Sequence, residues 1–220
     1  MPKAVIFDID GTLIDSVDAH AAAWVDTFRQ FGLDVDPAAV RSQIGKGGDL
    51  LMPVFLDPER LARDGKAMET YRGDLFKRRY LPEIRAFPAV RDLFERVRAD
   101  GKQVVLASSG KEDEVRRYAR LAGIDDLVDA ATSSSDAAHS KPYPDIVRAA
   151  VARAGILPAE AVMVGDTPYD AIAAHGAGVP SVGVLCGGFP EADLRAAGCV
   201  AVYRDPADLL ARYDSSPLAG

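Results

Sequence analysis

Two aspartates near the start of the chain, Asp8 and Asp10, are separated by one residue and are followed by Gly11 and Thr12. Alternate side chains of an extended chain point to the same side, so the two carboxyl groups are expected to lie close together. At the end of a buried strand such a pair costs free energy unless a cation or a reaction compensates. The spacing therefore indicates a site that binds a cation or carries out a reaction.

A second acidic pair, Asp166 and Asp170, follows a later apolar run. Clustered carboxylates repel unless a divalent cation lies between them, and hard oxygen ligands favour Mg²⁺. An aspartate can also attack phosphorus and form an aspartyl-phosphate, which divides one displacement into two. A Ser-His-Asp mechanism is less attractive, because none of the three histidines (His20, His139 and His175) stands in an evident relation to a serine.

Further polar groups lie between these two acidic pairs. Ser108 and Ser109 follow another apolar run, and Lys141 begins the segment KPYPDI. Taken alone, Ser108 is explained as a strand-end cap and Lys141 as a solvated surface lysine. Taken with the aspartates, they predict a site where a hydroxyl group and an ammonium group hold phosphoryl oxygens. Gly11 would let backbone amides approach the same phosphoryl group.

The elements that must bring these residues together are short apolar runs, which predict strands buried on both faces. The runs occupy residues 3–7, 103–107, 161–164, 180–185 and 199–203. Helical patterns occupy residues 88–99, 111–122, 142–154, 168–176, 190–197 and 206–213. Strand alternating with helix predicts an α/β fold with a doubly wound, parallel, Rossmann-like sheet. Ligands bind beyond the carboxyl ends of such strands, which is where the polar residues lie.

The stretch from residue 16 to residue 85 lacks a convincing strand. Its helical patterns occupy residues 16–31, 37–43 and 59–79. We interpret it as an all-α cap domain (16–85) inserted after the first strand of a core domain formed by residues 1–15 and 86–220. The alternative is that the stretch extends the helical layer of the core.

Four segments, DIDGT, LASSG, SKPYPD and VGDTPYD, match in order and rough spacing the signature motifs of the haloacid dehalogenase superfamily. The match extends from Asp8 to Asp170, and four ordered motifs are far more specific than any one of them. The helical insertion resembles the cap of the subgroup that contains phosphoglycolate phosphatases and β-phosphoglucomutases. The resemblance implies a Mg²⁺-dependent phosphatase that hydrolyses a small phosphomonoester, such as phosphoglycolate or a sugar or polyol phosphate.

The resemblance also implies roles for individual residues. Asp8 would be the nucleophile, Lys141 would hold Asp8 and the phosphate oxygens, and Asp10 would protonate the leaving oxygen and then activate water. Asp10 would need a raised pKa to arrive protonated, whereas Asp8 would stay ionised beside cations. The other phosphate-binding residues would be Gly11, Thr12, Ser108 and Ser109. The metal site would comprise Asp8, Asp10 through its backbone carbonyl, Asp166, and Asp170 either as a ligand or one step removed from the metal.

Other activities of the superfamily can be weighed from the same residues. A dehalogenase needs no set of magnesium-binding carboxylates, so the presence of Asp10 with Asp166 argues against it. The mutase subgroup tends to carry a Glu-Asp pair where this chain has Gly165-Asp166, and valine or a similar residue in place of Thr12. A non-catalytic module that senses a phosphometabolite would be expected to lose Asp8 or Asp10. Hydrolysis is therefore favoured, with a phosphosugar mutase and a sensing module as alternatives.

Substrate selection is expected in the cap domain. The segment RSQIGKGGDLL is the expected substrate loop, because its glycines permit a close approach and its lysine offers a cation. Trp24, one helical turn from His20, is expected in the core of the cap. The candidate substrate contacts in the cap are His20, Gly45, Lys46 and Gly47. The alternative for the loop is a plain helix–helix turn with a solvated lysine.

The composition is that of an ordinary globular protein, with 48% apolar residues, 27% charged residues and a net charge of -7. The resemblance implies a small phosphoester as the partner, and because there is no basic surplus we expect neither nucleic acid nor a membrane. The two cysteines, Cys186 and Cys199, are too far apart for a CxxC motif and are expected as buried thiols in a reducing compartment. With no signal-peptide pattern and no apolar run of roughly 18 residues, we expect a cytoplasmic protein. We also expect a monomer, and a frayed tail from Asp214 onward.

Overall fold

The computed structural model describes residues 1–219, which divide into two units. The core unit consists of Met1–Asp15 and the chain from Arg85 onward, and the helical unit consists of Ser16–Ile84. The second boundary therefore lies one residue earlier than the sequence predicts.

Most strands belong to one parallel sheet in the core unit. The strands are β1 (Ala4–Phe7), β2 (Ile14–Asp15), β3 (Arg85–Ala86), β4 (Gln103–Ala107), β5 (Ala130–Thr132), β6 (Ala161–Gly165), β7 (Ser181–Val184) and β8 (Cys199–Tyr203). Six of them form the sheet in the order β5-β4-β1-β6-β7-β8, with parallel pairing throughout. The short strands β2 and β3 pair antiparallel with each other. The predicted doubly wound parallel sheet is confirmed.

The helices account for the rest of the regular structure. The helical unit contains α1 (Val17–Gln30), α2 (Pro37–Arg41), α3 (Gly48–Leu51) and α4 (Pro58–Leu75). The core unit contains α5 (Val90–Ala99), α6 (Glu112–Leu121), α7 (Asp145–Ala154), α8 (Pro168–Gly176), α9 (Glu191–Ala196) and α10 (Pro206–Ala211). A π-helical turn, Phe76–Tyr80, continues α4. Within residues 1–219, no helix has the length and apolar character needed to cross a bilayer.

Strand β1 is buried along its whole length because helices cover both faces of the sheet. On one face, Ala4 and Ile6 belong to a core cluster that includes apolar residues of α7 and α8. On the other face, the ring of Phe7 stacks on Phe94 of α5, with 4.6 Å between the ring centroids. A strand enclosed on both sides requires a continuous apolar run, which is why the sequence reveals it so clearly.

The helical unit has a core of its own. Trp24 and Phe28 of α1 pack there with Val40, Leu51 and Met68. Trp24 is 5% exposed, so its expected place in the core is confirmed. An amphipathic α1 thus supplies the apolar face on which the other helices of this unit pack.

The expectation of a frayed C-terminal tail is wrong for its described part. Leu218 is fully buried, and Tyr213 is 2% exposed. The buried ammonium group of Lys102 donates to the backbone carbonyl oxygens of Leu218 and Ala219 and to Asp100. A buried cation requires such acceptors, and the tail provides them, so the tail is held against the core unit. The last residue of the expected tail, Gly220, lies outside the described residues.

Candidate active site

The sheet brings three of the predicted motifs to one edge. Strand β1 lies between β4 and β6, and its last residue, Phe7, is in register with Leu106 and Val164. The residues that follow these strand ends are therefore neighbours. They are Asp8, Ser108 and Asp166, and each is at most 4% exposed.

A cluster of three buried carboxylates forms at this edge. Asp8, Asp166 and Asp170 each offer an oxygen, and these oxygens lie within 4.8 Å of one another. The Thr12 hydroxyl lies 3.2 Å from Asp8 Oδ2 and 3.1 Å from Asp166 Oδ1. The other oxygen of Asp166, Oδ2, is buried and has no hydrogen-bond partner in the described part of the chain. Such a donor set, with one oxygen left bare, fits a divalent cation.

Lys141 joins two of the carboxylates. Its ammonium group is buried and contacts Asp8 Oδ1 and Asp170 Oδ1, the latter at 2.7 Å. Burial lowers the pKa of Lys141, but the carboxylates of Asp170 and Asp8 more than offset this effect and hold the pKa above its usual range. Lys141 is therefore a permanent positive charge inside the cluster.

Two carboxyl groups of the cluster, those of Asp8 and Asp166, have raised pKa values. Burial raises the pKa of Asp8 to about 7; Lys141 opposes this shift, and Asp170 and Asp10 add to it. Burial, followed by Asp170 and Asp8, also raises the pKa of Asp166 well above its usual 3.8. The expectation that cations keep Asp8 ionised is thus not met by Lys141 alone, because the cost of burying the charge exceeds the attraction of one ammonium group.

Asp170 holds the beginning of α8 in place. Its Oδ2 accepts hydrogen bonds from the Thr167 backbone N–H (3.0 Å) and hydroxyl (2.6 Å), while its own N–H donates to the Thr167 hydroxyl. This reciprocal pair is a capping box, which satisfies free N–H groups at a helix start. Because Oδ1 accepts from Lys141, both oxygens of Asp170 already have partners.

The last residue of β6, Gly165, has no space for a side chain. A Cβ atom there would lie 2.5 Å from Cβ of Asp170 and 2.6 Å from its Cγ. Cβ atoms do not approach other atoms so closely, so glycine at this position allows α8 to begin directly against the end of β6. The sequence contains Gly165 in a motif, but the contact itself depends on the fold.

The remaining phosphate-binding candidates follow strands β1 and β4 at the same edge of the sheet. Gly11 has φ 82°, a left-handed conformation that favours glycine, and Thr12 next to it is fully buried. Ser108 Oγ accepts a hydrogen bond from the Gly110 N–H at 3.0 Å, so the strand-end capping explanation also holds. Ser109 Oγ is buried and lacks a hydrogen-bond partner within residues 1–219. Asp10 is close enough to Asp8 to raise its pKa.

The candidate substrate residues of the cap all lie in the helical unit. Gly45, Lys46 and Gly47 form the turn before α3, where the Lys46 ammonium group donates to Gln43 Oε1 at 2.5 Å. Burial lowers the pKa of Lys46. His20 is 6% exposed on α1, and its ring stacks on another ring of the unit at 4.1 Å.

The sequence-based reasoning proposed Lys46 as the candidate substrate-binding cation of the helical unit and missed a second candidate, Arg72. Its guanidinium lies 5.5 Å from the ring of Trp24 and 5.1 Å from that of Phe76, and it contacts His20 Nδ1. Its Nε is buried without a hydrogen-bond partner, and its side-chain contacts among the described residues include no carboxylate. The sequence offers one signal for this contact: Arg72 stands four positions before Phe76, a spacing that places both side chains on the same face of a helix.

Comparison with known proteins agrees with the motifs and the geometry. A family model described as "Haloacid dehalogenase-like hydrolase" matches residues 5–184. The chain is 32% identical over 217 residues to a phosphoglycolate phosphatase of Rhodospirillum rubrum, covering 95% of this chain and 90% of that protein. It is 31% identical over 186 residues to a putative pyrophosphatase PpaX of Clostridium perfringens, covering 84% of each.

Among solved structures, the fold resembles a hydrolase from Pseudomonas syringae with a TM-score of 0.87 and 27% identity. The likeness covers 98% of this chain and 99% of that one. The family match extends over most of the sequence, and the relatives described here each cover at least 84% of this chain. The chain therefore belongs to the haloacid dehalogenase-like hydrolase family.

Proposed function

We propose that the protein is a Mg²⁺-dependent phosphatase that hydrolyses a small phosphomonoester through an aspartyl-phosphate on Asp8. The observation that carries this proposal is the buried cluster in which Asp8 touches both Lys141 and Thr12 beside Asp166. A carboxylate next to a permanent cation and a hydroxyl donor is suited to attack an anionic phosphoryl group.

In the first step an oxygen of Asp8 bonds to phosphorus, and the bond from phosphorus to the leaving oxygen breaks. Asp10 gives a proton to that leaving oxygen. In the second step Asp10 takes a proton from water, whose oxygen attacks phosphorus and breaks the bond to Asp8, which releases phosphate. Thr12 and Ser108 hold the phosphoryl oxygens, and Lys141 neutralises charge on them and on Asp8.

Asp8, Asp166 and the backbone carbonyl of Asp10 would hold Mg²⁺. When bound, the ion supplies positive charge that reduces the repulsion between Asp8 and the phosphoryl oxygens. The bare Asp166 Oδ2 supports this assignment, since a buried carboxylate oxygen needs a partner. Because both oxygens of Asp170 already accept hydrogen bonds, we propose that Asp170 acts one step removed from the metal, by holding Lys141.

The contact between Gly165 and Asp170 favours hydrolysis over the mutase alternative. The mutase subgroup tends to carry glutamate at this position, and any side chain there would overlap Asp170 in this fold. The sensing-module alternative is disfavoured because the charged groups required for turnover, Asp8, Asp10 and Lys141, are all present.

We propose that the helical unit selects the substrate through His20, Gly45, Lys46 and Gly47, with Arg72 as an additional cation. Phosphoglycolate and pyrophosphate, which appear in the names of two relatives, each carry a second anionic group. Arg72 and Lys46 would attract such a group. Small phosphoesters with a second anion are therefore the first substrates to compare with neutral sugar phosphates.

The test is phosphate release from p-nitrophenyl phosphate, phosphoglycolate, pyrophosphate and sugar phosphates, with Mg²⁺ or with a chelator. We expect activity with Mg²⁺, loss of activity in the chelator, and a fall of about 10³-fold or more in Asp8→Asn. Asp125→Asn, which changes an exposed aspartate, is the control and should retain activity. Activity that survives in Asp8→Asn would disprove the aspartyl-phosphate mechanism. Conversion of a sugar 1-phosphate to its 6-phosphate without phosphate release would favour the mutase.

A further inference from the structure

The carboxylate of Asp166 has a hydrogen-bond partner on one side only. Its Oδ1 lies 3.1 Å from the Thr12 hydroxyl, whereas its Oδ2 is buried without a donor among the described residues. Asp166 is fully buried, so bulk water does not reach this oxygen. A buried carboxylate oxygen without a hydrogen-bond donor costs free energy, so its position requires a structural explanation.

Gly187, in the loop after β7, lies directly beside this oxygen. A Cβ atom on Gly187 would lie 1.7 Å from Asp166 Oδ2, 2.4 Å from its Cγ and 2.7 Å from its Cβ. The backbone of Gly187 is outside the left-handed region, unlike that of Gly188, which has φ 88°. The contact with Asp166, and not the backbone conformation, therefore requires glycine at position 187.

The loop that carries Gly187 is held at several points. The Leu185 N–H donates to the Tyr203 carbonyl of β8 at 3.0 Å, and the Gly188 N–H donates to the Leu185 carbonyl at 2.9 Å. Between them, the Cys186 thiol donates to the Gly11 carbonyl at 3.2 Å. Since the loop is tied both to the sheet and to the turn after β1, a side chain at 187 would displace the Asp166 carboxylate before it displaced the loop.

We propose that Gly187 is a positioning residue of the metal site: its lack of a side chain keeps Asp166 Oδ2 in place and open to a divalent cation. Any residue other than glycine at position 187 would place a Cβ atom where the Asp166 carboxylate lies. This inference rests on the proposed function only in that Asp166 is taken to bind Mg²⁺.

The experiment is a calorimetric titration of Mg²⁺ into wild type, Gly187→Ala and Gly176→Ala, without substrate. We expect Gly187→Ala to bind Mg²⁺ about 10- to 100-fold more weakly, as is typical when the support of a metal ligand is lost. Gly176→Ala is the matched control in the same unit, since a Cβ there would lie 3.4 Å from Pro144, an ordinary contact. It should bind Mg²⁺ as wild type does. The increase of Tm on adding Mg²⁺ should shrink in Gly187→Ala alone.

An Mg²⁺ affinity of Gly187→Ala within about twofold of wild type would overturn the inference. So would an equal loss of Tm with and without Mg²⁺, because that is the result of a purely structural role. Wild type that binds no Mg²⁺ would instead contradict the metal-dependent function proposed above, so the two failures are distinguishable.

Should Gly187→Ala fail to fold, the same change is made on an Asp166→Gly background. Because the clash is with the Asp166 side chain, the double variant should be as stable as Asp166→Gly alone in metal-free buffer. A loss of Tm from Gly187→Ala that is the same with and without the Asp166 side chain would show that another contact is responsible, and would also overturn the inference.

Discussion

Burial governs the proton affinity of individual carboxyl groups in this site. The pKa of Asp8 is raised to about 7 in the folded protein from 3.8, mainly by burial. Between these two values the folded state holds a proton that the unfolded chain has released. Stability of the metal-free protein should therefore decline as pH rises through this range. A cation that competes with the proton for the Asp8 carboxylate should bind more tightly as the pH rises through this range.

The raised pKa of Asp8 predicts a pH-dependent effect of Mg²⁺. The increase of Tm on adding Mg²⁺ should grow from about pH 6 to about pH 8, while the metal-free contribution of Asp8 to stability falls. Thermal melts with Mg²⁺ or a chelator at each pH provide the measurement. Asp8→Asn, which cannot titrate, should show a flatter metal-free profile. An Mg²⁺ effect that does not change with pH would contradict the raised pKa.

The sequence predicts the acidic cluster well because its members follow apolar runs. Asp8 and Asp166 come directly after central strands, and neighbouring strands of a parallel sheet end at one edge. Gly187 and Arg72 could not be predicted in the same way. Arg72 contacts Trp24 and His20 of another helix, and Gly187 contacts Asp166 of another loop, so both contacts depend on the fold. A glycine that permits a close approach looks like any loop glycine until the fold is known.

At the junction between β6 and α8, the side chain of Asp170 contacts the end of the strand, the start of the helix and Lys141. The strand ends at Gly165, the helix begins two residues after Asp166, and the capping residue Asp170 also binds Lys141. The capping box that starts the helix thus fixes the position of the buried ammonium group. Packing, capping and charge placement at this junction cannot be changed independently.

A side chain at position 165 should disturb the packing of β6 against α8, the capping of α8 and the placement of the Lys141 charge. Gly165→Ala would push Asp170 away from Lys141, and overpacking of this kind costs about 1–3 kcal/mol in the free energy of unfolding. We expect that loss in urea unfolding, together with a fall in phosphatase activity. Gly73→Ala is the control, since a Cβ there meets nothing within 4 Å in the interior of α4. Equal stability of the two variants would contradict the proposed clash.

Element prediction succeeds where burial leaves a clear pattern. The runs around β1, β4, β6 and β7 are apolar because these strands are buried almost throughout, whereas the edge strand β8 is apolar in sequence but only partly buried. Strand β5 was not predicted, since its sequence AAT is short and lacks branched apolar residues. Strands β2 and β3 have two residues each, too few for a period to be visible.

The described end of the chain contributes to the stability of the whole core unit. The tail supplies two backbone carbonyl oxygens, in addition to Asp100, to the buried ammonium group of Lys102, just before β4. Sequence reasoning predicted fraying because the tail is rich in small and polar residues. It had no means of identifying the buried lysine, because the acceptors that the tail supplies lie more than a hundred residues away in sequence.

Leu218→Ala should therefore lower the free energy of unfolding by about 2–4 kcal/mol, as expected for a fully buried leucine. Urea unfolding followed by circular dichroism gives the measurement. Leu157→Ala, at a residue that is 66% exposed, is the matched control and should change stability little. If both leucine variants unfold alike, the tail does not support the core unit.

The central position of β1 has a consequence for biosynthesis. Strand β1, which Asp8 follows, leaves the ribosome well before its two neighbours in the sheet, because Ile6 pairs with Val105 and Met163, which are made much later. Contacts so distant in sequence form slowly, whereas the helices of Ser16–Ile84 depend on nearer neighbours. A nascent chain that ends before β6 holds Asp8 but neither Asp166 nor Asp170. The cluster of Asp8, Asp166 and Asp170 therefore forms only after translation has passed β6, so under the proposed mechanism an unfinished chain would lack a complete active site.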